Sequence, residues 1–265
     1  AACTSPEPSV TESLAEDTVQ TAFAEAAVGT HRSAKNIARN QYRHPLETLA
    51  FFDIRHGMSV MEITPGGMWY TEILASALKG RGRYIAAGYD SSVEGQPDYR
   101  YRQQQQLEQS IVENPAIYGE MGLAKFSPPQ SIALGEPGTV DRVLTFRNTH
   151  NWLRGGYADK VYAAFFEVLK PGGALGLVQH RAPQQQGEDP KKGYISEATI
   201  IAVAENAGFV LEARSEINAN PKDSATHPSG VWTLPPILRM GEQDRDKYLA
   251  IGESDRMTLL FRKPQ

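Results

Sequence analysis

Eight residues, from Arg147 to Arg154, concentrate the side chains best suited to acid–base and binding chemistry. Their order is Arg-Asn-Thr-His-Asn-Trp-Leu-Arg, which places two cations, two amides and an imidazole beside a large aromatic ring. An imidazole titrates near neutral pH, so His150 is suited to accept a proton from a nucleophile. The alternative is that His150 and Asn151 cap a helix while Trp152 packs into the core. The candidate catalytic residues are His150, Arg147, Asn148 and Asn151.

A second candidate region joins an apolar run to a helical pattern through a tight turn. Residues 59–63 are mostly apolar, the turn reads Thr-Pro-Gly-Gly over 64–67, and an apolar stripe at helical spacing follows. This order predicts a strand, a turn and a helix N-terminus. Free backbone N–H groups and the positive end of the helix dipole meet there, which favours an anionic or nucleotide-like ligand. The alternative is a simple Pro-Gly turn that closes the strand.

Further polar residues end the fifth predicted strand and fill a long stretch near the C-terminus. His180 and Arg181 end the strand, and the alternative to a binding role is a histidine bonded to loop backbone. The stretch 217–239 is too long for a simple connection, so we predict a lid or pocket wall rather than a surface loop. The candidate substrate-binding residues are Trp152, His180, Arg181, Asn218, Asn220, Lys222, His227 and Trp232.

The sequence gives little support for a metal centre. His150, His180 and His227, together with Asp223, are side chains that bind metals, but they are far apart along the chain. The chain also lacks a Gly-x-Ser-x-Gly elbow, a phosphate-binding P-loop and a CxxC pair. We therefore predict that the site contains no metal.

Strand patterns alternate with helical patterns along most of the chain. Several strands are apolar on both faces, which is typical of a parallel sheet covered by helices. Such sheets bind ligands at the carboxyl ends of their strands, so the loops at 64–68, 88–92, 147–154 and 179–183 should share one site. The predicted strands are 58–63, 83–87, 123–126, 139–146, 174–178, 209–213 and 256–262, and the predicted helices are 12–28, 45–52, 69–78, 99–112, 157–169 and 197–206.

Three connecting segments are predicted as irregular. Residues 147–156 form a polar loop, and residues 171–173, Pro-Gly-Gly, form a turn before the fifth strand. The third segment, 31–42, is predicted as a loop or a short helix. Five basic residues lie in it or just beyond it, namely His31, Arg32, Lys35, Arg39 and Arg43.

Four stretches recur in a familiar order along this pattern. They are Glu-Ile-Thr-Pro-Gly-Gly at 62–67, Gly-Tyr-Asp at 88–90, Asp-Arg-Val-Leu at 141–144 and Leu-Lys-Pro-Gly-Gly at 169–173. Together they resemble the successive motifs of class I S-adenosylmethionine-dependent methyltransferases. The resemblance covers 45–261, and Lys-Pro-Gly-Gly is its most specific part. More narrowly, the chain is similar to a group of bacterial, often exported, predicted methyltransferases, through its motifs at 65–74, 147–152 and 218–232.

The resemblance implies an α/β fold with a Rossmann-like seven-stranded sheet, last strand antiparallel, flanked by helices. It implies S-adenosylmethionine as the cofactor and methyl transfer to a small polar acceptor. Gly66 and Gly67 would let the backbone approach the cofactor, and Asp90 would hold the ribose. Arg147 would lie near the methionyl part or the sulfonium, as would Thr145. The implied cofactor-binding residues are Glu62, which would orient the turn or the methionine amine, with Thr64, Pro65, Gly66, Gly67, Trp69, Asp90 and Thr145.

The turn after the first strand departs from the family pattern. Thr64 and Pro65 stand where a glycine is usual, and Pro65 removes one backbone donor. The alternative function is therefore that of an exported protein that keeps the fold, binds a different small ligand and transfers no methyl group.

The composition is that of an ordinary globular domain. The chain has 265 residues, 40% of them hydrophobic and 22% charged, with a net charge of −4. That charge argues against a nucleic-acid-binding surface, so the expected partner is a small molecule. We predict a disordered tether at 1–12, an N-terminal helical extension at 13–44 and one α/β domain at 45–265, with 217–239 as a lid segment.

The single cysteine, Cys3, excludes an internal disulfide. Ala-Ala-Cys before a stretch rich in Ser, Thr, Pro and Glu resembles the end of a bacterial lipoprotein signal. We therefore expect an exported protein, periplasmic or anchored to a membrane through a lipidated Cys3. If Cys3 is incidental, the expected location is the cytoplasm.

Overall fold

The computed structural model of the chain describes residues 10–265, with side chains from residue 19 onward. Cys3 and residues 1–9 of the predicted tether lie outside this range. Residues 10–12, also assigned to the tether, already belong to the first helix, which begins at Val10. Among the described residues, no helix combines the length and the apolar character that a membrane crossing requires.

Eleven α-helices and seven strands make up the described part of the chain. The strands are β1 Ser59–Ile63, β2 Arg83–Gly88, β3 Gly122–Lys125, β4 Val140–Phe146, β5 Leu169–His180, β6 Val210–Ser215 and β7 Arg256–Arg262. The helices are α1 Val10–Ala27, α2 Ala34–Ile37, α3 Asn40–Arg43, α4 Pro45–Phe51, α5 Thr71–Leu78, α6 Asp98–Glu113, α7 Pro115–Tyr118, α8 Thr149–Gly155, α9 Ala158–Val168, α10 Glu197–Asn206 and α11 Arg245–Ile251. Short 3-10 turns lie at Pro190–Lys192 and Gly230–Thr233.

The seven strands form one sheet in the order β3-β2-β1-β4-β5-β7-β6. β1 to β5 run parallel to one another, whereas β7 is antiparallel to both β5 and β6. The order of the strands reverses at β1, where the chain moves outward to β3 and then returns to β4. The predicted seven-stranded α/β sheet with an antiparallel last strand is confirmed.

Successive side chains of a strand point to opposite faces, and the sheet accordingly has a hydrophobic core on each side. In β1, Val60 belongs to the core with Phe23 of α1 and Leu74 of α5. Its neighbour Met61 belongs to the opposite core, with Phe165 of α9. All five side chains are at most 2% exposed, so the central strand is covered on both faces, as its apolar pattern predicts.

The segment between α1 and α4 packs against the turn that follows β1. Arg32 donates from Nε to Glu72 Oε2 at 2.9 Å, and Trp69 donates from Nε1 to the Asn36 carbonyl at 2.9 Å. The guanidinium groups of Arg32 and Arg43 stack on the Trp69 ring, each 4.7 Å from its centroid. The N-terminal segment therefore forms one wall beside the carboxyl end of β1.

Two predicted segments are wrong, and one helix was missed. The polar loop predicted at 147–156 contains α8, which ends where Gly156 adopts a left-handed backbone with φ 74°. The Pro-Gly-Gly turn predicted at 171–173 lies inside β5, where a register shift between Val140 and Arg142 of β4 absorbs the irregularity. The helix α11 was not predicted, because its short pattern lies within a polar stretch.

Candidate functional site

A cleft of about 710 Å³ opens at the carboxyl ends of β1, β4 and β5. This volume lies within the range of small-molecule sites, which is roughly 300–1,000 Å³. The turn after β1 and the start of α8 form its floor. The N-terminal segment forms one wall, and residues 232–239 of the late irregular segment form another. The cleft lies where the strand order reverses, which is the usual ligand position in an α/β sheet.

The turn after β1 has an unusual backbone. Thr64, Gly66 and Met68 have φ values of 52°, 59° and 64°, so every second residue is left-handed. Such a conformation suits glycine and strains a side-chain-bearing residue, above all a β-branched threonine. Strained backbone of this kind concentrates at functional sites. Thr64, Pro65, Gly66 and Gly67 all line the cleft, as predicted.

Glu62 lies at the end of β1 and also lines the cleft. Its Oε2 atom accepts hydrogen bonds from Thr71 Oγ1 at 2.8 Å and from Tyr84 at 2.6 Å. Among the described residues, none donates a hydrogen bond to Oε1. Burial raises the pKa of this carboxyl to about 7, and the hydrogen bonds from Tyr84 and Thr71 offset only part of that effect. Glu62 thus fixes the start of α5 and leaves one oxygen for a ligand.

The residues after β2 form the far end of the cleft. Tyr89 lines it together with Tyr99 and Gln103. Asp90 lies beside Tyr89, but its carboxylate is not part of the cleft wall. Its Oδ1 atom accepts from the Ser92 amide and hydroxyl and lies 3.2 Å from Lys125 Nζ. Hydrogen bonds from Ser92 lower the pKa of Asp90, so it is ionised at neutral pH.

Asn148 connects the ends of β1 and β4. Its Nδ2 donates to the Ile63 carbonyl at 3.2 Å and to Thr145 Oγ1 at 3.3 Å. This leaves its Oδ1 atom as an acceptor toward the cleft, which Asn148 lines. Thr145, which was expected to lie near the methionyl part or the sulfonium, is 1% exposed and does not itself line the cleft. It holds Asn148 in place instead.

Hydrogen bonds to His150 determine which of its nitrogens carries the proton. Gln179 Nε2 donates to the Gly193 carbonyl at 3.1 Å, and the same nitrogen lies 3.2 Å from His150 Nδ1. Nδ1 is therefore the acceptor, and the neutral imidazole carries its proton on Nε2. Burial is the main cause that lowers the pKa of His150 to about 4. In this tautomer His150 is a neutral hydrogen-bond donor through Nε2, whereas the predicted role as a base requires the other tautomer.

His180 lines the cleft next to His150, with their ring centroids 5.7 Å apart. Its Nδ1 lies 2.6 Å from Ser254 Oγ, and burial holds its pKa well below the usual value. His227 lies elsewhere, where its Nε2 contacts Asp223 at 2.8 Å. The described residues contain no group of three or more His, Cys, Asp or Glu side chains arranged for a metal.

Several predicted substrate-binding residues do not reach the cleft. Trp152 is 3% exposed and packs edge-on against Phe126 in the core, because α8 turns its ring inward. Arg181 pairs with Asp255 and Glu216. Asn218 and Asn220 bind neighbouring backbone and hydroxyl groups. Of the predicted substrate set, His180 and Trp232 line the cleft, and the residues outside it are Trp152, Arg181, Asn218, Asn220, Lys222 and His227.

Most of the cationic residues that line the cleft were not among the candidate catalytic, cofactor-binding or substrate-binding residues. Arg43 enters it from α3, and Arg39 enters it from the position directly before that helix. Arg154 enters from α8, and Arg239 enters from the late irregular segment. The run of basic residues at 31–43 was a usable signal, but a surface loop explains such a run equally well. Of the described side chains that line the cleft, six are cationic and one is a carboxylate, namely Lys35, Arg39, Arg43, Arg147, Arg154 and Arg239 against Glu62.

Comparison with known proteins supports the fold through structure and not through sequence. No family model matches the chain, and no curated protein sequence matches it. A SAM-dependent methyltransferase from Aquifex aeolicus is similar over 85% of this chain and 93% of that one, at 15% identity and a TM-score of 0.52. Phosphoethanolamine N-methyltransferase 2 from Haemonchus contortus was solved with S-adenosyl-L-methionine. It is similar over 94% of this chain and 57% of that one, at 17% identity and a TM-score of 0.57.

A third similar structure is described as a possible exported protein from Bordetella parapertussis. It covers 93% of this chain and 79% of that one, at 16% identity and a TM-score of 0.50. Identities this low establish a shared architecture and not a shared activity. The chain therefore has the fold of the class I SAM-dependent methyltransferases.

The turn and its neighbours fit the cofactor that is common to that fold. A Cβ atom added to Gly67 would meet no protein atom within 4 Å, so the backbone is open to close approach there. At the left-handed Gly66 on the same turn, an added Cβ atom would lie 3.9 Å from its nearest neighbour, the Thr64 carbonyl oxygen. The free oxygens of Glu62 and Asn148 suit an ammonium group, and the carboxylate of Asp90 lies at the end of β2.

Proposed function

We propose that the cleft binds S-adenosylmethionine and that the protein transfers its methyl group to a small polar acceptor. When bound, this cofactor supplies a methyl carbon on a sulfonium sulfur. Transfer forms a bond between that carbon and the acceptor nucleophile, breaks the carbon–sulfur bond and leaves adenosylhomocysteine, while the acceptor proton leaves to water. Such displacements depend mainly on orientation, which a rigid cleft supplies.

The left-handed turn beside the Glu62 carboxylate is the observation that carries this proposal. It keeps an open backbone at Gly66 and Gly67 although Thr64 and Met68 must adopt unfavourable conformations. Side-chain-bearing residues at positive φ cost of order 1–2 kcal/mol each. This strain lies in a turn whose backbone is open to the cleft, which is what a turn that cradles a ligand requires.

The chain's own residues divide the work as follows. Glu62 and Asn148 accept hydrogen bonds from the amine of the methionyl part, and Asp90 accepts from ribose hydroxyls. His150 donates from Nε2 to the acceptor molecule, which it orients without removing its proton. The proposed reaction has no protein base, so it suits an acceptor that is already a nucleophile at neutral pH.

Calorimetric titration with adenosylmethionine and adenosylhomocysteine tests the proposal. We expect saturable binding of both with one site per chain, and loss of binding in Gly67→Val, where the added side chain occupies the approach to the turn. Ala24→Val on the exposed side of α1 is the matched control and should bind as the unaltered protein does. A folded sample that binds neither compound would favour a protein of this fold with another ligand.

The location of the protein is a separate proposal. Lipidation of Cys3 and export stay predictions, because Cys3 lies outside the described residues. Metabolic labelling with a fatty acid in a bacterial host tests them. Label on the unaltered precursor, and none on Cys3→Ser, would support anchoring, whereas an unlabelled protein in the soluble cell fraction would contradict it.

A further inference from the structure

Four arginine side chains gather near one carboxylate beside the cleft. Glu253 is 2% exposed and accepts hydrogen bonds from Arg39 at 2.6 Å, from Arg43 at 3.3 Å and from Arg256. Arg147 has no hydrogen bond or ion pair through its side chain among the described residues, but it interacts electrostatically with Arg256 and with Glu253. We call Arg39, Arg43, Arg147 and Arg256 the arginine cluster.

The arginine cluster has more positive charge and more donors than the protein satisfies. Arg43 Nη1 and Arg256 Nε are buried and have no hydrogen-bond acceptor. These side chains are 5% and 3% exposed, so bulk water does not replace the missing partners. Buried polar atoms are nearly always paired, and a charged group left without a partner is costly.

The electrostatic consequences appear in the basicity of the cluster. Burial lowers the pKa of Arg147 to about 9, with a further contribution from Arg256. Burial also lowers the pKa of Arg43 well below its usual value, and Arg147 adds to that effect. Positive charges that depress one another in this way leave a place for an anion that the chain itself does not provide.

The position of the cluster shows where such an anion would lie. Arg39, Arg43 and Arg147 line the same cleft as the turn after β1, whereas Arg256 lies behind them. The Arg43 guanidinium is fixed against the Trp69 ring at 4.7 Å, and Arg147 follows directly on β4. The cluster therefore faces the cleft from a rigid frame, which favours a specific site over a diffuse attraction.

We propose that the arginine cluster binds a dianionic, phosphate-type group on the methyl acceptor, which rests on the proposed function. One carboxylate on a ligand would leave most of the excess charge unpaired. A tetrahedral dianion offers several oxygens and matches the forked geometry of two guanidinium groups at once. Arg154 and Arg239 at the mouth of the cleft would add attraction for such an acceptor during its approach.

Titration of the full chain with inorganic phosphate tests this proposal, with sodium chloride at equal ionic strength as the reference. We expect saturable binding of one phosphate per chain. Arg147→Gln should weaken binding by about tenfold to a hundredfold, since a hydrogen bond to a charged group contributes about 1.5–3 kcal/mol. Removal of Arg147 breaks no hydrogen bond of its side chain, so this variant should fold.

Two further variants separate the cluster from general charge effects. Arg43→Gln should weaken phosphate binding to a similar extent, and its folding is checked by circular dichroism. Arg214→Gln removes the same charge from an exposed pair with Glu197, at 2.5 Å, outside the cleft. It should bind phosphate as the unaltered chain does. Equal losses in Arg147→Gln and Arg214→Gln would overturn the proposal, as would an absence of saturable binding.

A third titration adds phosphate to protein that is already saturated with adenosylhomocysteine. We expect both to bind together, because the acceptor's anion and the cofactor occupy different parts of the cleft. Competition would mean that the cluster holds the cofactor's own carboxylate, which overturns the proposal. Adenosylhomocysteine binding without phosphate binding would refute the anion site alone. Phosphate binding without adenosylhomocysteine binding would refute the methyltransferase function and the acceptor assignment, and leave an anion site.

Discussion

Two cavities of nearly equal size lie at different places on this molecule, and they differ in how their charged side chains are paired. The cleft at the ends of β1 and β4 has a volume of about 710 Å³, and a second cavity beside β6 has about 670 Å³. In the second cavity Arg181 makes four hydrogen bonds to Asp255 and Glu216, between 2.7 and 3.0 Å. In the cleft, Arg147 makes none through its side chain to any described residue.

The difference separates a structural polar cluster from a binding site. Asp223 in the second cavity is equally well satisfied, because Tyr194, His227 and two backbone amides donate to it. Charges that are paired within the protein stabilise the packing of loops and need no ligand. Size alone therefore does not separate the two cavities, whereas the pairing of their cationic side chains does.

The largest expected effect concerns the carboxylate within the arginine cluster. Glu253→Ala should lower the free energy of unfolding by about 3–5 kcal/mol, because it leaves buried cations without their counter-ion. Urea denaturation at neutral pH measures this. Added phosphate should recover part of the loss by taking the place of the carboxylate. A loss below about 1 kcal/mol, the value of a surface pair, would mean that the cluster is solvated.

A second prediction concerns the pH dependence that Glu62 imposes. Its pKa is raised from 4.5 to about 7, so its contribution to stability is present below pH 4.5 and is lost as the pH rises through 7. The loss amounts to roughly 3 kcal/mol. Glu62→Gln should lack this loss in denaturation curves between pH 4 and 8 (roughly the range of ordinary carboxyl and imidazole titration).

The ionisation of Glu62 should also change the affinity for adenosylhomocysteine. Affinity for adenosylhomocysteine, whose amine would meet Glu62, should rise as the pH increases through 7 and the carboxyl ionises. In Glu62→Gln the affinity should be lower and this rise should disappear. An affinity with the same pH profile in both proteins would show that Glu62 serves only to fix Thr71 and Tyr84.

A third prediction compares the two arginines directly. Arg181→Gln should lower the free energy of unfolding by about 1–3 kcal/mol, because it leaves two carboxylates without their partner. Arg147→Gln should leave stability unchanged or raise it, since its charge has no partner to lose. Thermal unfolding of the two variants beside the unaltered chain measures both. Equal destabilisation would contradict the distinction between the cavities.

The smallest effect concerns Asp90. If its carboxylate accepts hydrogen bonds from the ribose, Asp90→Asn should weaken adenosylhomocysteine binding by up to about tenfold. Lys125→Gln is the control, because it removes a contact of the same carboxylate that faces solvent. If Asp90→Asn binds adenosylhomocysteine as tightly as the unaltered protein does, the Asp90 carboxylate has no role beyond its loop contacts with Ser92.

Local patterns in the sequence were sufficient for the elements of the sheet. β7 spans Arg256–Arg262 and α10 spans Glu197–Asn206, each as predicted, because a short apolar run and a cap at Ser196 are local signals. The turn at 64–67 and its place in the cleft were also predicted. These features depend on neighbours a few residues apart.

The electrostatics of the site could not be predicted in that way. Arg39 and Arg43 meet Glu253 across more than 200 residues of chain, and no local pattern connects them. The state of His150 depends on Gln179 and on Gly193, which pairs with that amide from a distant loop. Trp152 was assigned to the cleft because polar residues surround it in sequence, but the unpredicted helix α8 turns it into the core.

Nitrogen-15 NMR of the arginine side chains tests most directly whether the cleft is the ligand site, because it reports on the guanidinium groups themselves. Signals of Arg147, Arg43 and Arg181 are identified from their loss in the three Gln variants. Addition of adenosylhomocysteine together with phosphate should shift the signals of Arg147 and Arg43 and leave the signal of Arg181 in place. Unchanged signals at Arg147 and Arg43, or a shift at Arg181 alone, would contradict the assignment of the cleft as the ligand site.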